Sequence, residues 1–286
     1  MNIAFIGFGE AARAFVDTLS ARDDALTFSA YDIKDEPAMR EAMATRRVRC
    51  GTSPAEVLDG AGWIISAVTA DQSLEAARAA APSLVRGQVF FDINSVSPGR
   101  KRETAALVET AAAYVDMAVM APVHPKGHAT PVLLAGAEAA RLAPELSALG
   151  FSLEVVAPEP GAATAIKIVR SLFVKGLEAI TVEALLAAAA SGCFERVYAS
   201  LASSFPGLDW PRHAAYAFER SLRHGTRRAA EMRESAKTLA ALGLTGSLAD
   251  RIADVQAAMG ALEATDLADG ELGAAVAGIA RLRGAL

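Results

Sequence analysis

Along the first 160 residues, short apolar runs alternate with stretches whose apolar positions recur at helical spacing. Ile3 to Ile6 is apolar, breaks at Gly7-Phe8-Gly9, and gives way to a helical pattern through Phe15. Leu26 to Asp32 reads as a second strand that closes on an acid, and Pro37 to Arg47 as a helix. Arg49-Cys50 opens a short strand, and Ser53-Pro54 starts a helix, because serine caps and proline fits the first turn. Trp63 to Val68 and Gln88 to Asp92 are buried-strand candidates, followed by helices over Ser73 to Ala81 and Arg100 to Ala113. Tyr114 to Ala118, Pro131 to Ala135 and Leu153 to Val156 supply further short strands. This rhythm predicts βαβ units and a mainly parallel sheet, with ligands at the carboxyl ends of the strands.

From Gly161 the pattern changes, and alanine, leucine and other helix formers dominate. A helix from Ala162 to Ala190 is expected to join two domains, an α/β domain over residues 1–160 and an all-α domain over 161–286. The alanine-rich helical half carries little polar covering, which predicts packing against a second subunit in a homodimer.

Composition narrows the function classes. Although 52% of residues are hydrophobic, there is no run of about 18 uncharged apolar residues, so no membrane partner is expected. The start lacks the pattern of an export signal. Cys50 and Cys193 are too few for a disulfide framework or a cysteine-rich metal site, so the expected setting is the reducing cytoplasm, with no metal. A formal charge of −5 and sparse aromatic residues argue against nucleic acid as a partner. A small-molecule substrate remains.

The candidate chemistry begins at the opening turn. Strand, Gly-x-Gly and helix in that order suit a dinucleotide pyrophosphate held by helix-end N–H groups, with Gly7, Phe8, Gly9, Glu10 and Ala11 as the cofactor turn. Ala12 stands where a small residue lets helix and strand pack closely. Asp32 follows Gly7 by 25 residues, near the roughly 20-residue spacing of an acid that grips the ribose hydroxyls. A carboxylate there repels the 2′-phosphate of NADP and favours NAD, while Lys34 and the Arg46-Arg47 pair keep NADP open; Asp32 as a simple strand terminator is the competing reading. Val68 and Thr69 close one strand beside the cofactor, or Thr69 and Gln72 only cap the next helix. Asn94 and Ser95, in Asp92-Ile-Asn-Ser-Val-Ser-Pro98, face cofactor or substrate, or form a turn and N-cap. Lys167 lies among apolar residues, where burial would make its amine an acid or base near neutral pH; a snorkelling surface lysine is the reading that general physics favours.

Four segments in order, from the N-terminus to about Ser171, resemble the β-hydroxyacid dehydrogenase family, which includes 3-hydroxyisobutyrate dehydrogenases, tartronate semialdehyde reductases and, more distantly, 6-phosphogluconate dehydrogenase. Gly7-Phe8-Gly9 is similar to the family's cofactor motif, and Asp92 to Pro98 to its Asp-x-Ser-Thr-x-x-Pro substrate segment. Asp116 to Gly136 keeps the length of its Asp-Ala-Pro-Val-Ser-Gly-Gly segment, and Gly161 to Lys167 resembles the segment that supplies the catalytic lysine. The resemblance implies a Rossmann-type domain followed by a helical one, NAD or NADP as cofactor, and Lys167 as the general acid–base group for hydride transfer between a CH–OH substrate and the nicotinamide.

The sequence departs from that family at two places. Met120-Ala121-Pro122 stands where Ser-Gly-Gly would hold a substrate carboxylate, and Ser171 where an asparagine follows the lysine. These changes predict a substrate that is larger, more apolar or anchored elsewhere, with His124 as a replacement polar group unless it only satisfies its own loop. The C-terminal half resembles a less characterised branch of the family with Arg170-Ser171-Leu-Phe-Val-Lys175-Gly-Leu-Glu178 and His224-Gly-Thr-Arg227-Arg228. Helical spacing puts His224 and Arg228 on one face, as candidates for a substrate anion, and pairs Arg227 with Glu231 at the surface. An imine reductase and a non-catalytic dinucleotide sensor are the alternatives; Lys167 weighs against both.

Overall fold

The structure is a computed structural model and describes residues 1–262, 264, 267 and 271–284. It divides into two compact units, residues 1–168 and 169–286, the division falling inside a long helix just beyond the boundary expected at 160/161.

The first unit is built on an eight-stranded sheet: β1 (Asn2–Ile6), β2 (Thr27–Tyr31), β3 (Val48–Cys50), β4 (Trp63–Ser66), β5 (Val89–Asp92), β6 (Ala113–Val119), β7 (Val132–Ala135) and β8 (Leu153–Ala157). Their spatial order is β3-β2-β1-β4-β5-β6-β7-β8, and every pair is parallel except β6–β7. The exception follows from the connection. A loop rather than a crossover helix leads from β6 to β7, so the chain returns alongside itself.

Helices α1 (Glu10–Arg22), α2 (Pro37–Ala44), α3 (Pro54–Leu58), α4 (Ser73–Ala80), α5 (Pro98–Val108) and α6 (Ala139–Ala148) connect the strands. Alternate residues of a strand point to opposite faces, and here both faces are buried. Ile3 and Phe5 join one core with Phe15, Trp63, Phe91 and Met117, while Ala4 and Ile6 join another with Ile64, Phe90, Val108 and Tyr114. Phe90 and Phe91 are both fully buried, each contributing about 1.5–3 kcal/mol. They anchor the strand whose end carries Asp92.

Two helix ends differ from expectation. The helix predicted to reach Ala113 stops at Val108, because Ala113 pairs with Val89 in the sheet and that pairing overrides alanine's helix preference. The helix predicted to reach Arg47 stops at Ala44, and Arg47 adopts a left-handed conformation (φ 55°) that turns the chain into β3.

Helix α7 (Ala162–Ala190) keeps its predicted limits; its first turns belong to the first unit. The described residues of the second unit are helical, with α8 (Phe194–Ser204), α9 (Trp210–Ala241), α10 (Ser247–Gly260) and α11 (Leu272–Leu282). Helices α9 and α10 meet at two glycines, where a Cβ on Gly225 would lie 2.2 Å from the Gln256 carbonyl oxygen. Only a residue without a side chain allows that approach.

Candidate active site at the carboxyl edge of the sheet

The sheet's order reverses at β1, which has β2 on one side and β4 on the other. In open parallel sheets a ligand crevice opens outside the carboxyl ends of the strands at such a reversal. Gly7 leaves β1 there with φ 87°, and its N–H donates to the Tyr31 carbonyl at 2.8 Å. A Cβ on Gly7 would lie 2.5 Å from the Ala67 carbonyl oxygen, so sterics and backbone conformation both demand glycine. Gly9 is the N-cap of α1 and offers no capping side chain, and nothing lies within 4 Å of where its Cβ would be. The first turn of a helix directs backbone N–H groups and a partial positive charge along its axis. An open glycine at that point fits a pyrophosphate. Ala12 is fully buried in the core, as its packing role requires.

The predicted cofactor residues divide between that opening and the fold itself. Phe8 turns its ring into the core, edge-on to Phe5, and its N–H donates to Asp32 Oδ2 at 2.7 Å. The other oxygen of Asp32 accepts from Lys34 N–H at 2.9 Å, so this half-buried acid ties the end of β2 to the glycine turn. Glu10 is exposed and Ala11 half-buried in the first turn of α1. Val68 donates its N–H to Asn94 Oδ1 at 2.7 Å, and Asn94 Nδ2 donates to Ser66 Oγ at 2.9 Å. The side chain expected at the ligand is thus a buried clip between the ends of β4 and β5. Thr69 is exposed and hydrogen-bonds Asp71, which with Gln72 holds that carboxyl below its usual range. Gln72 is the N-cap residue of α4, but no side chain makes a capping hydrogen bond there.

Ser95 and Lys167 come together. Lys167 Nζ donates to Ser95 Oγ at 2.8 Å, and both residues are half-buried. Ser95 follows β5, while Lys167 sits on the second turn of α7, so the pair depends on how that helix begins. Asp116 Oδ2 accepts from the N–H groups of Gly161 and Thr164 at 3.1 and 2.9 Å, and its Oδ1 accepts from Thr164 Oγ1 at 2.7 Å. The first residue of α5 packs against the same point, since a Cβ on Gly161 would lie 2.8 Å from the Pro98 carbonyl oxygen. Ser97 caps α5 through Arg100 N–H, so the cap reading holds for Ser97.

Sequence reasoning missed Lys101. It is fully buried on α5, with Nζ 2.7 Å from the Asp92 carbonyl oxygen, 2.9 Å from Asp92 Oδ1 and 3.4 Å from Asp116 Oδ1. Asp92 also accepts from Asn94 N–H at 3.0 Å and from the Tyr114 hydroxyl at 3.0 Å. Burial, then the charges of Asp92 and Asp116, push the Tyr114 phenol well above its usual range, so it stays a donor. The available signal was two aspartates, one ending and one inside neighbouring buried-strand candidates, with a single lysine between them in the sequence.

The loop after β6 leaves at the same edge as the end of β5, because those strands are parallel. Ala121, Pro122 and His124 are exposed there, and Met120 is half-buried against Ala118, Ala135 and Ala163, the last on the opening turn of α7. His128 is buried instead, 2.7 Å from Thr18 Oγ1 and 3.1 Å from the Leu149 carbonyl through its two ring nitrogens. Burial pushes that imidazole down, which keeps it neutral at neutral pH.

Ser171, His224 and Arg228 belong to the second unit. Ser171 and His224 are half-buried. Arg228 is buried and ion-paired with Glu178, so an anion reaching it would compete with a carboxylate already in place. Glu231, expected beside Arg227, binds the buried Lys175, whose amine burial pushes down. Among the described residues no group of three or more His, Cys, Asp or Glu is placed to hold a metal, and no helix is long and apolar enough to cross a membrane. A concavity of about 980 Å³ lined by Asn2, Asp23, Thr27 and Arg46 opens at the amino ends of β1 and β2, opposite the glycine turn. We place the site by the chemistry at the carboxyl edge.

Known proteins are similar to this chain in sequence and fold. Residues 2–153 match the NAD binding domain of 6-phosphogluconate dehydrogenase, and residues 188–259 match a domain of unknown function, DUF1932. A conserved hypothetical protein from Sinorhizobium meliloti 1021 is 36% identical, with a TM-score of 0.77 over 100% of this chain and 96% of that one. The conserved protein MTH1747, of unknown function and described as structurally similar to 3-hydroxyacid dehydrogenases, is 32% identical, with a TM-score of 0.70 over 90% and 96%. The Mycobacterium tuberculosis 3-hydroxyisobutyrate dehydrogenase shares the fold at 18% identity, with a TM-score of 0.75 over 97% and 98%. The first unit is therefore a nicotinamide-dinucleotide-binding domain, and the likeness supports a dinucleotide-dependent oxidoreductase. The chain belongs to the family defined by the 6-phosphogluconate dehydrogenase-type NAD-binding domain, in a branch whose helical half carries DUF1932.

Proposed function

We propose that this protein is an NAD(P)-dependent oxidoreductase of the β-hydroxyacid dehydrogenase type, with Lys167 as the general acid–base group for a small CH–OH or carbonyl substrate. The observation that carries the reading is the Lys167–Ser95 pair, an amine beside a hydroxyl at the carboxyl edge of a dinucleotide-binding sheet. A bound nicotinamide supplies the hydride chemistry. Gly7 and Gly9 keep the pyrophosphate approach open, and the first turn of α1 meets its charge. During oxidation Lys167 takes the substrate's hydroxyl proton, and during reduction its ammonium returns that proton to the carbonyl oxygen. Ser95 accepts from the amine to hold it in place, and its own O–H is a second hydrogen-bond donor to the same oxygen. Met120, with its apolar thioether beside Ala163, favours a substrate with more apolar bulk than a minimal hydroxyacid. A panel of hydroxyacids, aryl-substituted alcohols and amines, assayed for NAD and NADP reduction, tests this reading. Turnover of an alcohol is the expected result; turnover confined to amines, or binding of dinucleotide with no turnover across the panel, would overturn it.

NAD is the preferred cofactor in this reading, because Asp32 places a carboxylate at the end of β2. Its bond to Phe8 N–H adds a second role, so Asp32→Ala is expected to weaken both dinucleotides, NAD more than NADP. For NAD the loss is about tenfold or more, the size expected when a charged hydrogen-bonding group is removed. Isothermal calorimetry measures it, and equal losses for the two cofactors would leave Asp32 only its role in the turn.

A further inference from the structure

We propose that Lys101 is a positioning residue, which through Asp92 and Asp116 sets the geometry of the Ser95–Lys167 pair. The inference rests on the catalytic reading of Lys167 only for its consequence in turnover, since the geometry is independent of it. Lys101 Nζ touches the carbonyl and Oδ1 of Asp92 at the end of β5, and Asp116 Oδ1 on β6. One ammonium thus clamps the end of β5 to the middle of its neighbour β6. From Asp92 the contact runs through Asn94 N–H into the turn that presents Ser95. From Asp116 it runs into the backbone of Gly161 and Thr164, which opens α7 one turn before Lys167. The two arms therefore fix the two partners of the 2.8 Å Lys167–Ser95 bond from opposite sides.

Charge explains why a lysine is needed there. Two carboxylates and one ammonium lie fully buried, one negative charge in excess. The amino end of α7 and the hydroxyls of Tyr114 and Thr164 meet the excess. Without Lys101 the carboxylates repel across the joint between β5 and β6. Repulsion there moves the Ser95 turn and the α7 cap apart. A surface lysine has no such reach, and a core hydrophobe would leave both acids uncompensated.

The test reads Lys167 itself and needs no substrate. The chain has six lysines, Lys34, Lys101, Lys126, Lys167, Lys175 and Lys237, so labelling with trinitrobenzenesulfonate followed by peptide mass spectrometry resolves each amine. In Lys101→Met, Lys167 is expected to label at least about threefold faster, the change that follows from losing a hydrogen bond of ordinary net strength, with exposed Lys34 and Lys126 unchanged. Should Lys101→Met fail to fold, Thr164→Val removes one link from Asp116 and is expected to accelerate Lys167 labelling in the same way. Thr164→Ser keeps the hydroxyl and is expected to restore the wild-type rate, which a purely steric effect at this position would not do. Unchanged Lys167 labelling in folded Lys101→Met or in Thr164→Val would overturn the proposal. If labelling responds but Lys167→Met leaves turnover intact, the positioning stands and the catalytic reading alone fails. If both hold, Lys101→Met lowers kcat by about 10²-fold through a misplacement of about 1 Å, with the dinucleotide's KM little changed.

Discussion

Lys101→Met is expected to destabilise the first unit by about 3–5 kcal/mol, the range for removing one partner of a buried ion pair and leaving the other charged. Lys101, Asp92 and Asp116 are all fully buried, so water cannot replace the lost cation. Methionine fills most of the space of the stem, which keeps the cavity contribution small and isolates the electrostatic one. A second substitution separates charge from shape. Asp116→Asn added to Lys101→Met returns the cluster to one excess negative charge. The amide oxygen still accepts from Gly161 and Thr164 N–H, and its NH₂ turns toward Thr164 Oγ1. The double variant is therefore expected to regain part of the loss. Urea titration of the three proteins measures both steps. A deficit in Lys101→Met under about 1 kcal/mol, the size of an exposed pair, would show that the cluster is hydrated in solution.

The cluster also shows where sequence legibility stops. The strands were readable because most are short, largely apolar runs followed by turn residues, and the two-faced burial of β1 and β5 is what such runs imply. Gly7 was readable for the same local reason, since a tight turn between strand and helix demands glycine. Lys101 was not. Its meaning depends on Asp92 and Asp116 arriving side by side through β5–β6 pairing, a contact with no local signature. Asn94 shows the opposite case. Polar residues at a strand's carboxyl end suggest a ligand, and the sequence carried no sign that this side chain also accepts from Val68 N–H and ties β4 to β5. Helix ends were displaced where pairing or a turn competed with propensity, at Val108 and Ala44. Arg228 carries the same lesson in the second unit, since helical spacing gave its face but not the Glu178 that neutralises it.

Lys167→Met is expected to leave dinucleotide affinity nearly unchanged and to lower turnover by at least about 10²-fold, the usual cost of losing a general acid–base group. Binding is spared because Nζ bonds Ser95, whereas the glycine turn and Asp32 lie on other strands. Turnover falls because the hydroxyl proton loses its acceptor, while the neutral thioether takes the place of the lysine stem. A slower reaction carried by water or by Ser95 alone accounts for what remains. The loss is expected in kcat with a smaller change in KM, since the amine acts most strongly as the proton moves.

The most direct measurement is therefore a paired one: calorimetric binding of NAD and steady-state turnover at the nicotinamide absorbance, for wild type and Lys167→Met, on the best substrate from the alcohol panel. Retained NAD binding with turnover reduced at least about 10²-fold is the predicted result. Near wild-type turnover in Lys167→Met, with binding intact, would contradict the assignment of Lys167 as the proton carrier.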